Sequence, residues 1–193
     1  MDDTIIEQLA RELRQAELEK KPVGPPTARY PDMTVEHAYR VQMRNVSGRI
    51  AAGARVVGKK VGLTSRAMQQ FLGVHEPDFG HLFDDMVYDE EEPLPLGDFL
   101  QPRIEAELAF LLGEDLAGPG ITLTDVLRAS LAVVPAFEVI ASRVADWKIK
   151  IQDTIADNGS SAGLVLGSQL MPLKGVNLKY VGMVLERNGT IVE

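Results

Sequence analysis

The stretch QPRIEAELAF, residues 101–110, sets two glutamates one residue apart in an otherwise largely apolar segment. On an α-helix, residues i and i+2 lie ~200° apart, and Glu105 and Glu107 would point in unrelated directions. On a strand they share one face, and Ile104, Ala106, Leu108 and Phe110 fill the opposite, core-facing side. Local propensity does not decide, because Ala, Glu and Leu all favour helix. Pro102 and the strand signals on either side favour the extended reading.

Two carboxylates on one face need compensation, since desolvated like charges raise a pKa or destabilise the fold. A hard divalent cation bound through oxygen, Mg²⁺ or Mn²⁺, supplies it. Glu138, a lone acid in the apolar run VVPAFEVIASR, is the candidate third ligand, because acids are rarely buried unpaired. The alternative is an ion pair, with Arg103 or Arg143 as the partner. An E-x-E spacing is common and does not choose between the two.

A second clue lies in GKKVGLTS. On a strand, Gly58, Lys60, Gly62 and Thr64 share a face, and a lysine between glycines leaves room for a ligand to approach. Its ammonium could hold an anionic substrate or exchange a proton. It could equally be a surface lysine beside two turn glycines. Asp78 in EPDFG and the turn ADNGSS, with Asp157, Asn158, Ser160 and Ser161, fit ordinary turn chemistry. The second could instead present amides and hydroxyls to a carboxylate. His37, His75 and His81 lack a metal-ligand spacing, and there is no phosphate-cradling glycine loop.

Around these motifs the chain falls into two parts. Residues 4–20 read as a helix with Thr4 as cap and Ile5, Leu9, Leu13 and Ala16 in its stripe. A second helix follows Thr34, with Tyr39, Met43, Val46 and Ile50 on one side. These form a helical cap region, 1–54. From Arg55 strand periods dominate a body over 55–193. RVVGKKVGLTS reads as a strand, TSRAMQQFLGV as a short helix capped by Thr64, HEPDFGHLFDDM as loop and DEEEPLPLGDF as an acidic turn. A short helix after Thr122 precedes LAVVPAFEVI, a buried strand. DTIADNGSSAGLVLG contains a small-residue turn followed by a strand, and LKYVGMVLERNGTIVE is a hairpin about Asn188-Gly189. Its second strand ends after four residues, so a C-terminal part of the body is expected to be missing.

A chain of 193 residues with net charge -8 suits one domain and argues against a nucleic-acid partner, which wants a basic stripe. The absence of cysteine excludes disulfides, thiolate nucleophiles and cysteine zinc sites. No apolar run approaches the ~20 residues of a membrane helix, and MDDTIIEQLARELRQ is unlike a secretory signal. The expectation is a cytoplasmic protein.

In their order along the chain, GKKVGLTS, GVHEPDFGHLFDDM, PRIEAELAF, VPAFEVIASR and DWKIKIQDTIADNGSSAGLVLG resemble the 2-hydroxypenta-2,4-dienoate (2-oxopent-4-enoate) hydratases of the fumarylacetoacetase superfamily. The resemblance implies an α+β fold: a mixed, mostly β roll or sandwich with an N-terminal helical region, usually assembled as a homo-oligomer. It implies metal ligands matching Glu105, Glu107 and Glu138, a catalytic lysine matching Lys60, an acid matching Asp78, and a substrate-binding serine matching Ser160. Asn158 and Thr64 join Ser160 as candidates for substrate contact. Gly159 departs from the family pattern, where alanine is expected. The implied activity is metal-dependent addition of water to a small 2-hydroxydienoate in meta-cleavage degradation of aromatic compounds, alongside neighbouring pathway enzymes. Two readings stand beside it: a related 4-oxalocrotonate decarboxylase, which shares the metal motif, and a non-catalytic partner subunit of one.

Overall fold

A computed structural model describes residues 1–192. Helix α1 (Asp3–Glu19) begins where the Asp2 carboxylate accepts from the Ile5 backbone N–H at 2.9 Å. The cap is therefore Asp2 and not Thr4, since a carboxylate at the N-cap reaches the third helical N–H. A short connector helix, α2 (Pro26–Arg29), leads to α3 (Val35–Ala51), which Thr34 caps with His37 as reciprocal partner. Ile6, Leu9 and Leu13 of α1 pack on Ala38 and Val41 of α3, together with Val144, Ile155 and Ala156 from the body.

The buried stripe of α3 is Ala38, Val41, Gln42 and Val46. This corrects the expected face, because Met43 and Ile50 are exposed. The missing clue was a polar residue. Gln42 is buried because its amide donates to the carbonyls of Phe79 and Ile155, at 3.0 and 2.9 Å.

Strand β1 (Val56–Gly62) pairs antiparallel with β2 (Asp78–Phe83), with α4 (Arg66–Leu72) between them. Two expectations change here. HEPDFGHLFDDM contains a strand where a loop was expected, and α4 starts at Arg66, so Ser65 and not Thr64 precedes it. The Gln69 N–H donates to the Ser65 carbonyl at 3.0 Å.

The main sheet follows: β3 (Val87–Tyr88), β4 (Arg103–Leu112), β5 (Ser130–Ile140) and β6 (Ser161–Leu166), in spatial order β3-β6-β5-β4. Only β3 and β6 run parallel. Helix α5 (Leu123–Ala129), capped by Thr122, leads into β5. A six-residue helix, α6 (Ile151–Ala156), stands where the sequence reads as turn. The Asn188-Gly189 turn joins β7 (Glu186–Arg187) and β8 (Thr190–Ile191), both turn residues having positive φ; the expected strand end at Glu193 lies outside the described residues.

The architecture is α+β, with an N-terminal helical region and small sheets. One expected core face is open, since Ile104 and Phe110 are 58% and 43% exposed. The alternation of β4 specifies which side chains share a face, not what covers them. Among the described residues, no helix is long and apolar enough to cross a membrane.

Candidate functional site

The β1–β2 register sets Lys60 opposite Gly80 and Gly62 opposite Asp78, so all four share a face. A methyl group on Gly62 would collide with the Asp78 carboxylate and lie 3.3 Å from Lys60 Nζ. One on Gly80 would collide with the Asn158 carbonyl and lie 3.2 Å from Lys60 Cγ. The glycines thus admit the protein's own groups. This corrects the expectation that Gly58 and Gly62 hold space open for a ligand; at Gly58 the neighbour is Leu82, 3.5 Å away.

Lys60 is almost buried, and its ammonium donates to the Gly159 carbonyl at 3.0 Å. It also lies 3.4 Å from Glu138 Oε2. Asp78 is 3% exposed. Burial pushes its carboxyl above the usual range, against the pull of the Lys60 charge.

Residues 103–112 are extended, and β4 pairs with β5 so that Glu105 faces Glu138 directly, with Glu107 opposite Ala136. The three glutamates therefore share a face of the sheet. Glu138 is 5% exposed, and burial pushes its carboxyl up to about 7, with Lys60 opposing and Glu105 adding to the rise. Glu105 and Glu107 are exposed at the surface, so their like charges are less desolvated than the sequence suggested; partial desolvation, and then the Glu105 charge, raise the Glu107 carboxyl. Glu138 Oε1 and Ser161 Oγ are both buried without a well-formed hydrogen bond, and the Ser161 hydroxyl lies close enough to the Glu138 carboxylate to oppose the rise in its pKa. Neither arginine considered above takes these acids: Arg143 pairs with Asp157, and Arg103 stacks over Trp147 at 4.4 Å. Lysine, from a different sheet, is the partner that sequence reasoning did not connect with Glu138.

An unpaired buried carboxylate oxygen beside two further acids fits a hard divalent cation in donor type. Among the described residues, no three acidic or histidine side chains converge closely enough to enclose an ion as they stand. The strand register puts the three glutamates on one face of the sheet.

The turn 157–160 closes the site from the other side. The Asn158 amide is engaged at both ends by β2: its Oδ1 accepts from the His81 N–H at 2.8 Å, and its Nδ2 donates to the His81 carbonyl at 2.9 Å. Asn158 therefore acts as a clasp on the strand, and not as a free contact for substrate. Ser160 is buried, its hydroxyl 3.1 Å from that of Thr154. Thr64 is exposed on the segment leaving β1. Gly80, which borders the lysine, had no role in the sequence reading, and Gly159, on its other side, entered only as a departure from the family pattern. The available signal for Gly80 was its place two residues after Asp78, which puts both on one face of a strand.

No protein-family model matches the chain. It is 50% identical over 193 residues to a 2-hydroxypent-2,4-dienoate hydratase of Pseudomonas putida, covering 100% of this chain and 87% of that protein. It is 50% identical over 183 residues to a 2-keto-4-pentenoate hydratase of Paraburkholderia xenovorans (strain LB400), covering 95% and 68%. Among solved structures, 4-oxalocrotonate decarboxylase from Pseudomonas putida G7, complexed with magnesium and adipate, superposes with a TM-score of 0.89 at 34% identity. That match covers 100% of this chain and 73% of the decarboxylase. Identity of this level along the whole chain shows that it belongs to the 2-hydroxypenta-2,4-dienoate (2-keto-4-pentenoate) hydratase family of hydro-lyases, within the fumarylacetoacetase superfamily.

Proposed function

We propose that the protein adds water to 2-hydroxypenta-2,4-dienoate, or a close homologue, to give 4-hydroxy-2-oxopentanoate in the meta-cleavage degradation of aromatic compounds. The observation that carries this reading is a buried lysine, flanked by Asp78, set against a face of three glutamates. Glu105, Glu107 and Glu138 would hold a divalent cation, and magnesium is the first choice because a neighbour's structure contains it; manganese is the alternative. When bound, the cation supplies Lewis-acid stabilisation of negative charge on the substrate's C2 oxygen.

The chain's own groups handle the protons. Ketonisation of the dienol removes a proton from the 2-hydroxyl and delivers one to C5, leaving a conjugated 2-oxo-3-enoate. Water then adds at C4 while a proton goes to C3. Lys60 and Asp78 are the carriers, side by side in a buried site where proton transfer does not compete with bulk water. Burial raises the Asp78 carboxyl against the Lys60 charge, which eases its taking up and returning a proton. Ser160 lines the turn beside them, and Thr64 stands at the exposed rim.

The relatives' names support hydration over decarboxylation, with 50% identity to hydratases against 34% to the decarboxylase. We further infer that the 1–54 region caps a 55–193 catalytic body, that the sheets belong to a β roll or sandwich, and that the protein works as a homo-oligomer in the cytoplasm.

The test is loss of the dienoate's ultraviolet absorbance, with magnesium and after exhaustive chelation. Activity should require the cation, return on its addition, and fall at least ~100-fold in Glu107→Gln. Unchanged turnover after chelation, or a normal Glu107→Gln variant, refutes the metal's role. Release of CO₂ from 2-oxo-hex-3-enedioate, with no dienoate consumed, moves the assignment to the decarboxylase.

A further inference from the structure

The carbonyl that holds Lys60 belongs to a turn in a conformation that polypeptides avoid. Asn158, Gly159 and Ser160 have φ of +58°, +64° and +56°. Left-handed backbone costs a non-glycine residue about 1–2 kcal/mol, and it normally occurs singly. Such a turn persists only where its surroundings hold it.

Arg143 is what holds it. Its Nε pairs with Asp157 Oδ1, its Nη2 donates to the Asp157 carbonyl at 2.5 Å, and its Nη1 donates to the Ser161 carbonyl at 3.3 Å. Its backbone N–H donates to Asp157 Oδ2 at 2.9 Å. One guanidinium therefore grips the chain on both sides of the three left-handed residues. The two side chains are 7% and 2% exposed. Burial opposes the Arg143 charge, and the Asp157 and Glu17 carboxylates more than offset it. A buried pair of this kind is weak evidence of stabilisation by itself, because an apolar pair of similar size often serves as well. What an apolar pair could not do is aim the turn.

We propose that Arg143 and Asp157 are positioning residues for Lys60: they hold the 158–160 turn so that the Gly159 carbonyl fixes the lysine ammonium beside Glu138, while Asn158 pins β2 opposite it. Neither touches substrate. The inference rests on the hydratase reading for its kinetic consequences but not for its geometry.

Two variants test it. Asp157→Asn keeps the shape and removes the charge. The double variant Arg143→Met/Asp157→Leu removes both charges together, so neither is left buried alone. Folding is checked by circular dichroism and thermal unfolding. The first readout is dienoate turnover with magnesium: kcat should fall ~10-fold or more, as for a displaced catalytic group, with any rise in KM smaller than the fall in kcat because only Ser160 of the candidate substrate contacts rides on the turn. The second is independent of activity. The acetylation rate of Lys60, followed by mass spectrometry with exposed Lys148 as reference, should rise several-fold while Lys148 stays unchanged.

A folded variant in which either readout stays within twofold of the wild type overturns the proposal, as does a rise in KM alone. Failure of both variants to fold also overturns it, assigning the pair to the fold and not to the lysine. If the wild-type chain leaves the dienoate untouched, the hydratase reading fails and the acetylation arm decides the positioning by itself.

Discussion

Lys60 is enclosed by backbone on two sides, with a carboxylate at its tip. Its stem passes where Cβ atoms on Gly80 and Gly159 would stand 3.2 and 3.1 Å from it, and its ammonium meets Gly159 and Glu138. A channel of this width discriminates between cations. Lys60→Met keeps the stem and removes the ammonium, and kcat should fall by ~10²–10⁴, the usual contribution of a positioned acid or base. Lys60→Arg keeps the charge but carries a planar fork too wide for the space, so it should restore less than ~10% of the lost rate. Steady-state kinetics on both variants checks this; an arginine variant near wild-type activity would show that charge alone suffices. The candidate residues themselves were legible in the sequence, since an E-x-E, a lone buried acid and a lysine between glycines each stand out. Their association was not: Lys60 and Glu138 belong to different sheets, and no local pattern joins them.

The elements differ in how far local sequence could reveal them. Strand β4 was readable because Pro102 and the strand signals on either side favoured an extended segment, which brings its two glutamates to one face. Strand β2 was not, because Pro77, Gly80 and the acidic residues after Phe83 imitate a loop. It is a strand because β1 pairs along one edge and the Asn158 amide clasps His81. Helix α6 escaped notice through its six-residue length, although Ile151 and Ile155 are spaced for one face and buried Asp153 ties the segment to Thr27, at 2.9 and 2.7 Å. The dependence of β2 on close approach gives a prediction. Gly80→Ala puts a methyl into the Asn158 carbonyl, and overpacking of this kind costs ~1–3 kcal/mol. Gly97→Ala, where the methyl meets nothing within 4 Å, should cost less than ~0.5 kcal/mol. Urea midpoints at constant m-value compare them. Equal midpoints would mean that the strand–turn contact yields freely.

The molecule as a whole joins a helical layer to a β ribbon, and the seam runs through Gln42 and His81. With the Gln42 amide donating to two carbonyls, its Oε1 is left to accept from His81 Nδ1 at 3.1 Å, which fixes the neutral tautomer. Burial pushes the imidazole down to about 4, and the nearby Lys59 charge adds to the shift; the Phe79 ring, 6.0 Å away, offers no counter-charge. The folded pKa is therefore below the unfolded value of ~6.5. Above pH ~6.5 the group is neutral in both states and leaves stability independent of pH. As the pH falls toward 4, only the unfolded chain takes up the proton, so stability is lost across that window. Between pH 7 and pH 5 the loss should be about 2 kcal/mol from this one group. Other groups titrate in the same range, Glu138 with the opposite sign, so the useful quantity is the difference between wild type and His81→Gln, whose side-chain amide can still donate to Gln42. Denaturant unfolding at both pH values should show the variant losing about 2 kcal/mol less than the wild type on acidification. Identical losses would mean that His81 takes up its proton in the folded state as readily as in the unfolded chain, and that the seam tolerates a charge at its centre.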